Sequence, residues 1–196
     1  MTRWSRIVGA APITPAPAAS LHVETLSLGV SGGVPNHPHW PALIIRGAVP
    51  ADAPISGIKA LYEANRWFRV WDWTVFDYHH FHPEAAEALT VARGAARLHL
   101  GGPDGPQVDV TAGDAMVLPA GFGHKRVSSD DAFTVVGGYP EGQEERTIVA
   151  AGDMDVADAA RAVAAVPPPQ TDPLWGADGP LLDHWHVVLS AGAKTG

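Results

Sequence analysis

The chain has no cysteine. That excludes a disulfide framework, a thiolate metal site and a cysteine nucleophile. Charge is also scarce, at 17% of residues against the usual quarter. Sparse charge combined with 46% hydrophobic residues is the opposite of a disordered composition. Basic residues are the rarer sign: 13 Lys and Arg stand against 21 Asp and Glu, for a net charge of -8. No basic patch that could release counterions from phosphates stands out, so no nucleic-acid partner is expected. No apolar run approaches the ~20 residues of a membrane span. A short apolar patch, Ile7 to Ala11, follows Arg3 and Arg6, but Pro12, Pro15 and Pro17 break it. It does not read as a signal-peptide core. The expectation is a cytoplasmic protein with no membrane partner.

What the chain does have is turn residues, 21 glycines and 18 prolines in 196 residues. That length suits one domain able to bury roughly 70% of its unfolded surface. Residues 1–20, rich in Ala and Pro, read as a flexible arm. Strands are expected at His22–Leu28 and Ala42–Arg46. A short helix should follow Pro54, with Ile55, Ile58, Leu61 and Tyr62 on one face and Asn65 ending it. From Trp71 to Tyr139 the period falls to two. Strands are expected at Trp73–His82, Ala88–Ala92, Ala95–Leu100, Gln107–Val110, Ala115–Leu118, Lys125–Ser128 and Ala132–Val136. Arg93-Gly94 and Gly101–Gly105 mark turns. Such a run of short strands predicts an all-β antiparallel sandwich or small barrel. The central unit then spans 21–140, with its core at 71–139. The extension 141–196 carries a helix, Val156–Val166, capped by Asp155 and stopped by Pro167.

Ten histidines are the chemical oddity. His80 and His82 are two apart on an expected strand, so their side chains share a face with Phe76 and Tyr78. Glu87 follows after a bend at Pro83 and shares a face with Leu89 and Val91. A turn shaped by Pro119 and Gly121 delivers His124. Three imidazoles and a carboxylate make a donor set for one divalent transition metal, with Fe, Mn, Ni, Zn and Cu all acceptable.

The spacing HxH(x)4E(x)6G is filled by His80, His82, Glu87 and Gly94. The spacing G(x)5PxG(x)2H is filled by Gly113, Pro119, Gly121 and His124. These two segments resemble the paired motifs of the cupin superfamily. The second motif usually ends in Asn four residues past its His, where this chain has Ser128. The flanks PNHPHWPALIIRGAV, FDYHHFHPEAAEAL, LPAGFGHKR, VVGGYPEGQ and DPLWGADGPLL resemble the YjlB-like single-domain bacterial cupins. That group often has a His just before the ligand Glu, where Ala86 stands here. The resemblance implies a small jelly-roll barrel, also described as a double-stranded β-helix, with short flanking helices. It also implies that His80, His82, Glu87 and His124 are metal ligands inside that barrel.

Phe76, Tyr78, Val91 and Arg126 are the expected pocket residues. His79 and His99 fall on outward faces. The pairs His37/His39 and His184/His186 mimic ligand pairs but lack a carboxylate at the motif's spacing, so they read as packing or surface residues. Trp67, Trp71 and Trp73 read as a packing cluster. The resulting functional expectation is a metal-dependent enzyme of oxygenase or isomerase type acting on a small polar molecule. The alternative is a non-catalytic cupin that binds a small molecule or a metal. A homodimer is expected in either case.

Overall fold

Alternating apolar and polar residues, interrupted by Gly and Pro, fold into short strands that pair in two antiparallel sheets. The computed structural model describes residues 10–144 and 147–185. The strands are β1 His22–Leu26, β2 Ala42–Arg46, β3 Trp67–Trp73, β4 His80–Phe81, β5 Glu87–Arg93, β6 Ala95–Leu100, β7 Gln107–Thr111, β8 Ala115–Leu118, β9 His124–Ser129, β10 Thr134–Pro140 and β11 Val149–Ala150. Helix α1 spans Ile55–Ala64 and helix α2 spans Val156–Ala165. One sheet has the order β1-β2-β8-β5-β10-β3, the other β11-β4-β9-β6-β7. Two antiparallel sheets with short flanking helices make a jelly-roll-type fold.

The six-stranded sheet is covered on both faces, which is why β5 and β8 are buried along almost their whole length. Leu89, Val91, Met116, Leu118 and Val135 pack towards Leu98, Leu100 and Val110 of the five-stranded sheet. On the other face, Leu43, Ile45, Ala88, Val117 and Val136 meet Ile58, Leu61 and Tyr62 of α1. Leu174, Leu181 and Trp185, from beyond α2, complete that second core. Trp185 Nε1 donates to Pro41 O at 2.9 Å. The chain at 10–20 runs over the same side: Ala16 N donates to Ala48 O, and Trp175 Nε1 donates to Ala16 O, each at 2.9 Å. Asp155 caps α2 by accepting from Ala157 N and Asp158 N.

Two local expectations are corrected. Trp73–His82 is not one strand. The chain leaves the six-stranded sheet after Trp73 and enters the five-stranded sheet only at His80. Residues 74–79 form the crossing, held by Arg126 N donating to Phe76 O at 2.8 Å. Likewise, Arg93-Gly94 does not close a hairpin, because β5 and β6 belong to different sheets. Gly94 is a corner with φ +69°, and a Cβ there would lie 2.6 Å from Phe133 N. Only glycine combines that φ with that close approach. The expected turn at Gly101–Gly105 does join a true hairpin, β6 to β7.

Candidate functional site

The four residues singled out by spacing converge at one end of the space between the sheets. β4 supplies His80, the residue just beyond it supplies His82, β5 opens with Glu87 and β9 opens with His124. His80 and His124 are register partners across β4 and β9, with ring centroids 4.1 Å apart. Gly121 shapes the turn before His124: its N donates to His82 O at 2.8 Å, so the two motifs are tied backbone to backbone.

Glu87 is 3% exposed and sits at the centre. Its Oε1 accepts from the Tyr139 hydroxyl at 2.6 Å and lies 3.3 Å from His82 Nε2. Its Oε2 lies 3.2 Å from His124 Nε2, off the line of a hydrogen bond, and has no hydrogen-bond partner. Burial pushes the carboxyl pKa up, but the attraction of His82 and His124 outweighs it and holds the group well below the ordinary carboxylate range. His82 Nδ1 faces Thr147 O at 2.9 Å, so both nitrogens of that ring face oxygen. His80 Nδ1 faces Tyr78 O at 3.2 Å. Burial, reinforced by His124, pushes His80 down to about 3, so this ring is neutral.

The expectation of a metal centre is not met by this arrangement. Among the described residues, no group of three or more His, Cys, Asp or Glu side chains is placed to hold a metal ion. Coordination requires lone pairs that converge on one common point. Here the Nε2 atoms of His82 and His124 are turned on the carboxylate itself, and Tyr139 takes up part of what remains. The divalent transition metal, the metal-binding reading and the metal-dependent enzyme of oxygenase or isomerase type are corrected on that finding. The dioxygenase-like reading goes with them.

A cavity of about 440 Å³ opens above the cluster. His80, His82, Glu87, His124 and Tyr139 form its polar lining. Trp71, Trp73, Val75, Phe76, Leu89 and Ile148 form its apolar lining, with Asp72 and Thr74 also present. Of the four expected pocket residues, Phe76 lines the cavity. Tyr78, Val91 and Arg126 do not line the cavity. Tyr78 is exposed and stacks on Phe76 with centroids 5.0 Å apart. Val91 lies deeper, in the core between the sheets. Arg126 Nε donates to Val75 O at 3.1 Å, so this side chain anchors the cavity wall from behind.

Elsewhere, His37 is buried and stacks on Trp40, which stacks on Trp185. His39 stands edge-on to His37. His79 packs against His99 at 4.8 Å. His184 lies in the helical turn at 180–185, and His186 lies outside the described residues. Sequence reasoning missed Tyr139 and the cavity role of Trp71. Tyr139 is 52 residues from Glu87, and no spacing rule links the two. Its period-two relation to Val135 and Gly137 was the available signal.

The cupin family model matches residues 78–163. An uncharacterised protein of Bacillus subtilis, YjlB, is 33% identical over 154 residues, covering 79% of this chain and 91% of its own length. The chain belongs to the cupin superfamily and to its YjlB-like group. Among solved structures, a 4-keto-6-deoxy sugar epimerase of Streptomyces spheroides is 19% identical, with a TM-score of 0.35, covering 70% of this chain and 74% of its own. An oxalate decarboxylase of Lactobacillus farciminis is 13% identical, with a TM-score of 0.33 over 70% of this cupin. This cupin spans about a third of that decarboxylase's length, 33%.

Proposed function

We propose that this YjlB-like cupin is a non-catalytic small-molecule-binding protein whose ligand occupies the cavity between the sheets. One observation carries this reading: the cavity of about 440 Å³ has mostly apolar walls and a few convergent polar groups, the usual build of a small-molecule site. The non-catalytic part rests on Glu87, whose carboxylate is engaged by the protein's own Tyr139, His82 and His124. In this proposal His80, His82, Glu87, His124 and Phe76 border the ligand, and the two sheets close around it as a barrel. The unit at 21–140 holds the ligand and 141–196 buttresses it. The protein works in the cytoplasm as a homodimer.

The test is a thermal-shift screen of neutral small molecules against the wild type and Leu89→Phe, which narrows the cavity. Binders should raise the wild-type Tm by mass action and lose that effect in the variant. Equal shifts in both proteins would contradict the cavity as the site. Conversion of a binder to product during incubation would contradict the non-catalytic reading.

A further inference from the structure

Two buried polar atoms around the cavity have no hydrogen-bond partner: Trp71 Nε1 and Glu87 Oε2. Buried polar groups are almost always satisfied, so an unmade bond beside a cavity calls for an explanation. The position of the indole is not slack. Trp71 pairs with Gly137 across β3 and β10, and a Cβ at 137 would lie 2.2 Å from the indole carbons Cε2 and Cζ2. The glycine gives the ring a flat seat, an aromatic-on-glycine pairing that fixes the side chain. A fixed, unpaired N–H is preorganised for an acceptor that the protein does not supply. Glu87 Oε2 is the complementary case, a buried acceptor with the His124 imidazole 3.2 Å away as its ion-pair partner but without a hydrogen-bond donor.

The remaining lining narrows the ligand further. None of the described lining residues is Lys or Arg, whereas Asp72 and Glu87 are both present. Among the described lining residues, the imidazoles of His82 and His124 already face the Glu87 carboxylate, so a second carboxylate or a phosphate would meet like charge there. A cation is not called for either: Asp72 already pairs with Lys59, and Glu87 with its imidazoles. The walls of Trp73, Phe76, Val75 and Ile148 favour a largely apolar, planar body.

Building on the binding function proposed above, we propose that Trp71 Nε1–H and Glu87 Oε2 are the two polar contacts of the ligand. The ligand is then a neutral, mostly apolar molecule carrying a carbonyl-type oxygen for the indole and an N–H or O–H for the carboxylate. A primary aromatic amide presents both from one group.

The experiment titrates the full chain with benzamide, benzoate and toluene, reading affinity by calorimetry and the indole N–H resonances by NMR. Benzamide should bind at least tenfold more tightly than benzoate, and its addition should move the Trp71 indole resonance. Trp71→Phe should weaken benzamide by about fivefold, the worth of one net hydrogen bond, and leave toluene within twofold. If Trp71→Phe does not fold, the wild-type resonance, assigned through its proximity to Gly137, still gives the answer. Binding of benzamide and toluene with no movement of that resonance, or with equal losses in the variant, would overturn this assignment and leave the cavity reading standing. Failure of all three probes to bind the wild type would overturn both.

Discussion

Glu87 is the residue on which the site turns. A carboxylate this buried costs several kcal/mol unless it is paired, and here two imidazoles and a phenol hydroxyl compensate it. Removing one partner of such a cluster is expensive because it strands the others. Glu87→Gln should therefore cost about 3–5 kcal/mol in urea unfolding. Tyr139→Phe removes only one donor from Oε1 and should cost about 1.5–3 kcal/mol, as for a hydrogen bond to a charged group. The double variant should cost less than the sum, because both changes act on the same contact. Strict additivity would show that the Tyr139–Glu87 hydrogen bond does not contribute. His80 acts differently: burial keeps its ring neutral, so it shapes the cavity lining rather than adding a positive charge beside Glu87.

The elements show what a sequence can reveal and where it stops. Helix α1 and most strands are legible because their apolar residues keep a strict period. The four clustered side chains are legible because the motif spacing survives the fold. The crossing at 74–79 is not, because Val75, Phe76 and Tyr78 continue a strand-like alternation while the backbone changes sheet. The same holds at Gly94, where a turn signal marks a corner between sheets. Nor does spacing reveal that the imidazoles face the carboxylate rather than a shared centre, since that depends on side-chain rotation. A prediction belongs to this corner. Gly94→Ala forces an alanine to φ +69° with its Cβ 2.6 Å from Phe133 N, a backbone atom that cannot swing aside. The variant should lose about 1–3 kcal/mol by denaturant titration, the scale of a strained backbone position. An unchanged midpoint would mean that the corner relaxes freely.

At the scale of the whole molecule, buried titratable groups tie stability to pH. Burial, helped by His39, lowers His37 to about 4. Its Nδ1 accepts from His39 N and Trp40 N, a role that a proton on that atom would end. Burial also lowers His79 to about 4, with His99 and Lys125 adding to it. Between about pH 4 and 6.5 the unfolded chain binds more protons at these rings than the native one, so their effect is to raise stability as pH rises through that window. Asp172 opposes them. Burial raises it to about 6 despite backbone donors from Leu174, Leu181 and Trp175, so its contribution is lost as pH rises from about 4 to 6. Two such histidines, joined by His80, outnumber the single aspartate. Unfolding free energy should be lower at pH 4.5 than at pH 7, and Asp172→Asn should widen that difference. A molecule more stable at pH 4.5 would contradict this balance.

On the binding function proposed above, the cavity holds a small organic molecule above a hydrogen-bonded carboxylate rather than a metal ion. Native mass spectrometry of the full chain, purified without chelator or added metal and then mixed with benzamide, tests it most directly. The expected result is one benzamide per chain and no metal adduct. One tightly held metal ion per chain, or no benzamide at millimolar concentration, would contradict it.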